Sequence, residues 1–423
     1  MNTTTIAPAK SPAATAASES ASKRLMSVDV LRGFDMFWIV GAGSLFFALS
    51  QMQTAPKAGG FSLTAFLATQ FQHVYWEGFR FYDLIFPMFI FIVGVSLVFS
   101  LTKTVAQGGR ALAVKRMFLR TLLLIVLGII YNGGLSGEWQ NTRFVGVLGR
   151  IGIAYLAAGL TFCFFRTRGM VAICLGLLVG YWAIMTFVPI RNISLEAGSL
   201  KKLMKTTGVS DVRTLYDQTT TYISGSYAKG LNVANHFDFH YLPGGKAYGD
   251  QFDPEGLLST LPSIATCLLG VFAGLLLRNN SVTDNKKVIL LIAAGVLAVS
   301  LGWIWNLQFP IIKRIWTSSY VLVAGGYSAI FLGVFYLIID VWNYRKWCQP
   351  FLWLGMNSIT IYMASNIIDF RKLAERFTGG GVKGFLNEHL LKGSGELLAA
   401  LTGLLLIFLV GRFLYRKNIF LRL

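Results

Sequence analysis

The chain has 423 residues, of which 54% are hydrophobic and only 13% charged, and its net charge is +19. So few charges, with a mean hydropathy of +0.58, exclude a soluble globular domain and indicate a polytopic membrane protein. The basic excess does not point to nucleic acid, because the Lys and Arg residues lie in short stretches between hydrophobic runs and form no single polar face.

A bilayer core takes about 20 apolar residues per helix, and about ten such runs are present: 28–50, 83–101, 117–132, 145–165, 170–190, 257–277, 288–307, 320–340, 351–370 and 397–415. The fold class this predicts is all-α, a polytopic membrane helix bundle of about ten spans. One set of short connections carries Lys103, Arg110, Lys115, Arg116, Arg166, Arg168, Arg278, Lys286, Lys287, Arg345 and Lys346; the other carries little more than Lys57, Arg143, Lys313 and Arg314. That bias predicts both termini inside, with His73 and the long segment 191–256 outside.

Residues 1–23 are rich in Ala, Ser and Thr without an apolar core, which predicts a disordered cytoplasmic tail and no cleaved signal peptide. Residues 24–423 then form one membrane domain. In the first span Asp29, Arg32 and Asp35 recur on one helical stripe, either as an ion pair at the interface or as a polar face turned into the bundle. Residues 61–76 have the pattern of a helix lying along the membrane surface. His73 ends it, with Glu77 four residues on, so that in a helix the carboxylate would face the imidazole. Arg80 and Asp83 follow at the lip of the next apolar run, where ionisable groups are functional candidates. The alternative for His73 is a structural role, buried and neutral among aromatics.

Arg150 stands among Gly146, Gly149 and Gly152. It is placed to pair with a carboxylate of a neighbouring helix or to bind a phosphate, and the glycines permit close helix approach. They form no phosphate loop, since no Gly-Lys-Ser/Thr pattern accompanies them. The segment 191–256 is too long for a plain connection and is expected to fold over the outer mouth. It holds Asn232, Asn235, His236, Asp238 and His240, and then Asp253-Pro254-Glu255, which reads as a helix start with Asp253 as cap and Pro254 at the first turn. His236 and His240 share a helical face but lack the context of a zinc motif, so no metal is expected. The four cysteines suggest neither a disulfide framework nor a metal site. Asn357 and Ser358 lie within an apolar run and need partners inside the bundle, either another helix or a ligand.

Five stretches, RLMSVDVLRGFDM at 24–36, HVYWEGFRFYDLIFPMFIFIVG at 73–94, RFVGVLGRIGIAY at 143–155, DPEGLLSTLPSI at 253–264 and LGMNSITIY at 354–362, resemble in order those of the heparan-α-glucosaminide N-acetyltransferase family of transmembrane acyltransferases. The resemblance implies transfer of acetyl from cytosolic acetyl-CoA to an amino sugar or glycan across the bilayer. His73 is then the catalytic histidine, as general base or acyl carrier, and Asp83, which follows it in the motif, is the second catalytic candidate. An imidazole suits that proton transfer at neutral pH. Asp29, Arg32, Arg150, Asn232, Asp238, Asp253, Glu255, Asn357 and Ser358 are the candidate residues for acetyl-CoA and acceptor.

Two departures stand out: the extra luminal N-terminal region and first span of the lysosomal enzyme are missing, and Phe239 follows Asp238 where the family tends to have Asp-Arg. They suggest a bacterial-type homologue in the inner membrane, acting on an envelope or recycled amino sugar, with a homodimer among its expected assemblies. The competing class is a secondary transporter using Asp29, Arg32, Asp83 and Arg150, although the chain shows no internal repeat.

Overall fold

The computed structural model describes residues 25–52, 62–134, 136 and 138–420. The expected N-terminal tail and Lys57 lie outside the described residues. The first span is helix α1 (Met26–Phe37), a π-helical turn at Trp38–Ala42 and helix α2 (Gly43–Gln51). Helix α3 (Leu63–Gln70) is followed by α4 (Phe81–Tyr131), α5 (Val147–Phe164) and α6 (Thr167–Phe187).

The segment after α6 holds a two-stranded antiparallel pair, β1 (Ile190–Arg191) and β2 (Tyr222–Ile223), with helices α7 (Ala197–Thr207), α8 (Val212–Gln218) and α9 (Val233–Tyr241). The bundle then continues with α10 (Thr260–Arg278), α11 (Asp284–Trp305) and α12 (Ser318–Tyr336). It ends with α13 (Gln349–Met356), α14 (Ser358–Ile367), α15 (Phe370–Thr378), α16 (Gly380–His389) and α17 (Ser394–Arg416).

The protein is an all-α integral membrane protein. Among the described residues, eight helical stretches are long and apolar enough to cross a bilayer. Two further features account for the difference from about ten. Helix α4 contains two of the expected runs, joined at Gly108 and Gly109, where the backbone leaves the helical region and Gly109 has φ of +74°. The chain folds back there: a Cβ placed on Gly159 of α5 would touch Leu97, Leu101 and Met117 together. The run 351–370 is broken at Asn357 into α13 and α14, each too short to span alone.

Small residues let these helices approach closely, which is how packing holds helices together where lipid offers no hydrophobic advantage to association. A Cβ on Gly94 would sit 2.0 Å from the Cys267 carbonyl, and one on Gly270 would sit 2.0 Å from that of Phe91, so α4 and α10 meet backbone to backbone. Gly33 and Gly355 do the same for α1 and α13. Of the three glycines around Arg150, Gly152 lies against Thr121 of α4, and its carbonyl accepts the Thr121 hydroxyl. The four cysteines are free and buried.

Candidate functional site

The expected surface helix ends at Gln70, and residues 71–80 are not helical. Glu77 therefore does not share a helical face with His73. Asp83, in the first turn of α4, takes that place: the His73 Nδ1 and Asp83 Oδ1 atoms are 2.8 Å apart. The other carboxylate oxygen of Asp83 accepts the backbone N–H groups of Val74 and Arg80, so the carboxylate ties the loop to the helix start. Asp83 is 1% exposed and the His73 side chain 48% exposed, a buried anchor beneath an accessible imidazole.

Proline fixes the main chain beneath this pair. Pro87 has no N–H to give the Asp83 carbonyl four residues earlier. The hydroxyl of Tyr320 in α12 donates to that carbonyl instead, at 2.8 Å.

Lys313 is a group that its place in the sequence marks only as a loop charge. Its Nζ lies 3.0 Å from His73 Nδ1, 3.4 Å from Nε2 and 3.5 Å from Asp83 Oδ1. The loop that carries it is held by Trp316, which adopts φ of +53°. Such a conformation is costly for a bulky residue and persists only where the surroundings enforce it. The Trp316 indole donates to Thr266. The carbonyl of Ile311, two residues before Lys313, accepts the N–H of Gly78, joining this loop to the one that bears His73.

Burial lowers the His73 pKa from its ordinary value. The Lys313 charge pushes the same way, and the hydrogen bond to Asp83 opposes both. Burial likewise lowers the Lys313 pKa, with Asp83 the main opposing charge and Glu255 adding to it.

A second cluster stands beside the first. Asp253 is not a helix cap, since α10 starts at Thr260. It takes a bidentate ion pair from Arg143, at 2.7 Å for each contact, and Arg143 also binds Glu255. These carboxylates raise the Arg143 pKa against the effect of burial. Arg150, 2% exposed, binds the Ser259 hydroxyl and the Gly256 carbonyl and stacks over Trp316, 4.9 Å from the ring centre. It thus links the 253–259 turn to the Lys313 loop, and among the described residues it pairs directly with no carboxylate.

Asp238 accepts the N–H groups of Leu257 and Asp253 with its two oxygens, and burial pushes its pKa up to about 7. Asn232 caps α9, accepting from the Asn235 N–H, and gives its own amide protons to Ala228 and Asn235. His236 bonds the Tyr216 hydroxyl and the Ile193 carbonyl.

Most of the remaining candidates lie at a cavity of about 590 Å³ that follows α4 from Phe89 to Lys103. Asp29, Arg32 and Ser358 line it, together with the cations Lys103 and Arg120. Arg32 is paired with Asp29 and donates to Ser96. Among the described residues, Asn357, 3% exposed, has no hydrogen-bond partner for either side-chain atom, and neither carboxylate oxygen of the fully buried Asp35 has one. At a helical rise of 1.5 Å per residue, Phe89 is about 9 Å along α4 from Asp83 and Lys103 about 30 Å. The cavity therefore begins less than two turns beyond the dyad and runs away from it.

The chain is 29% identical over 332 residues to the heparan-α-glucosaminide N-acetyltransferase of Mus musculus, and 27% identical over 337 residues to that of Homo sapiens. The matched region covers 71% of this chain and 49% of each relative. This chain is a distant relative of the heparan-α-glucosaminide N-acetyltransferases. It spans about half the length of those curated relatives, and no protein-family profile matches it. The His73–Asp83 pair, with Lys313 against it, belongs to this distant relative's own geometry.

Proposed function

We propose that this protein is a membrane-embedded N-acetyltransferase that moves acetyl from acetyl-CoA to the amino group of an amino sugar or glycan, with His73 as the base. The observation that carries the reading is the His73–Asp83 hydrogen bond of 2.8 Å, an exposed imidazole fixed by a buried carboxylate. The names of the two relatives support the reaction class. Asp83 accepts the Nδ1 proton and leaves Nε2 free to take a proton from the attacking amine. The nitrogen of the amine bonds to the thioester carbonyl carbon, the carbon–sulfur bond breaks, and the proton passes from Nε2 to the departing thiolate.

The bias of basic residues supports a sidedness with both termini and Lys103 inside and His73 outside. In that orientation the cavity would receive the donor from the cytosol, with Arg32, Lys103 and Arg120 supplying positive charge for its phosphates. Arg143, Asp253 and Glu255 would stand on the acceptor side. The homology supports a glycan acceptor. A bacterial inner membrane and a recycled or envelope amino sugar remain part of the proposal.

The test is acetyl transfer from radiolabelled acetyl-CoA to glucosamine by the purified protein in nanodiscs. Wild type should acetylate the sugar and release CoA, and His73→Ala should abolish both while keeping its gel-filtration profile and thermal midpoint. Turnover by His73→Ala at the wild-type rate sinks the assignment. Sugar flux across proteoliposomes without acetyl-CoA would favour a transporter instead.

A further inference from the structure

A general base must stand within hydrogen-bond reach of the proton that it removes, about 2.6–3.2 Å between heavy atoms. In this structure an amine stands 3.4 Å from His73 Nε2, the nitrogen that the Asp83 bond leaves free, a little beyond that reach. Lys313 Nζ lies 3.0 Å and 3.4 Å from the two imidazole nitrogens of His73, although 240 residues separate them in sequence. The lysine is not a mobile surface chain that wandered in. Its side chain is 20% exposed, and its loop is fixed by the Trp316 turn and by the Gly78–Ile311 hydrogen bond.

We propose that Lys313 is an internal stand-in for the acceptor, an amine that occupies the acceptor's place beside His73 and becomes acetylated itself when no amino sugar is present. The inference rests on the acetyl-transfer reading given above. The neutral Nζ attacks the thioester carbonyl, forming an amide C–N bond while the C–S bond breaks. The proton from Nζ goes to His73 Nε2 and then to the thiolate, which leaves as CoA thiol. Donor and lysine thus yield Nε-acetyl-Lys313 and free CoA, and no other reactant is needed. Burial of Lys313 favours the neutral amine that this step requires, against the pull of Asp83.

The product differs from the resting site in two ways. The positive charge beside His73 is gone, and a neutral amide fills the space of the incoming amine. An amide does not pass its acetyl group on, so the modified site is closed. A protein with donor but no acceptor would switch itself off.

The experiment incubates the nanodisc-embedded protein with acetyl-CoA alone and maps acetyl-lysines by tandem mass spectrometry. Lys201 and Lys202, exposed on α7, report uncatalysed acetylation. Lys313 should be modified at least about tenfold faster than either, at the low end of what a positioned base supplies. His73→Ala should bring it down to their level, and added glucosamine should slow it. Lys313 left unmodified by a preparation that acetylates glucosamine overturns the inference and leaves the proposed activity standing. The inference is also overturned if Lys313 reacts no faster than Lys201, or equally fast in His73→Ala. Acetyl on neither glucosamine nor Lys313 overturns the proposed activity and this inference together.

Discussion

The Tyr320 hydroxyl donates to the Asp83 carbonyl at 2.8 Å, filling the bond that Pro87 cannot make. Asp83 is therefore held twice, by its carboxylate to His73 and the loop, and by its carbonyl to α12. Tyr320 is fully buried, so Tyr320→Phe leaves that carbonyl without a partner in a dry site, at a cost of about 1–3 kcal/mol. The expected result is a lower thermal midpoint and a reduced kcat with KM nearly unchanged. A variant with wild-type kcat would show that the main chain under the dyad needs no such tie.

Asp83→Asn keeps the shape of the side chain but removes the charge that orients the imidazole. Its loss should cost about 10² to 10⁴ in kcat/KM, the range that a positioned base contributes. CoA release and sugar acetylation should fall together. Since Asp83 also accepts from Val74 and Arg80, Asp83→Ala should additionally lower the thermal midpoint, and comparing the two variants separates anchoring from charge.

The pH profile follows from the lowered His73 pKa. A base is active when unprotonated, so kcat/KM should rise with pH and level off from a midpoint below the ordinary value of about 6.5. Lys313→Met removes a positive charge that disfavours imidazolium, and its rising limb should move to higher pH. A limb that stays in place in Lys313→Met would mean that burial alone sets the His73 pKa.

Much of this was legible in the sequence because the bilayer imposes long apolar runs, and those runs mark the bundle; the break of 351–370 at Asn357 was not, because a single polar residue leaves the run apolar. His73 and Asp83 were visible as ionisable groups at the edge of a span. Their pairing was not, because the i, i+4 spacing suggested Glu77 as partner. The chain leaves the helix after Gln70, and the loop N–H of Val74 bonds Asp83 while that of Gly78 bonds Ile311. Asp253 looked like a helix cap by local grammar, yet its partner is Arg143, 110 residues away. Lys313 reads in the sequence only as a loop charge, since nothing near it tells that it folds back onto His73.

The contact of α1 with α13 tests how tightly the cavity wall is built. A Cβ on Gly33 would meet the Phe351 carbonyl at 1.7 Å, and one on Gly355 the Asp29 carbonyl at 2.0 Å. Neither obstacle is a side chain that can turn aside, so Gly33→Ala or Gly355→Ala must push the helices apart. Overpacking of this kind costs about 1–3 kcal/mol or more. Both variants should show reduced yield and a lower thermal midpoint, and the double variant should be less destabilised than the sum, because one separation relieves both clashes. Full additivity would indicate two independent accommodations.

In α9 two groups titrate in opposition. Burial holds the pKa of Asp238 up at about 7 and brings that of His236 down to about 4. Unfolded, they would titrate near 3.9 and 6.5. Between about pH 4 and 6.5 the folded Asp238 keeps a proton that the unfolded chain has lost, so its contribution to stability falls as pH rises, by about 1.4 kcal/mol per unit. Over the same interval folded His236 lacks a proton that the unfolded chain carries, and its contribution rises with pH at the same slope. The two effects offset each other in that interval. Asp238→Asn removes one of them and should expose the other: resistance of the 190–256 segment to proteolysis, nearly flat in wild type from pH 5 to 6.5, should drop steeply on acidification in the variant. His236→Phe should tilt the profile the opposite way, with resistance greatest at low pH. Parallel profiles for wild type and both variants would show that neither group keeps its shifted pKa in the folded segment.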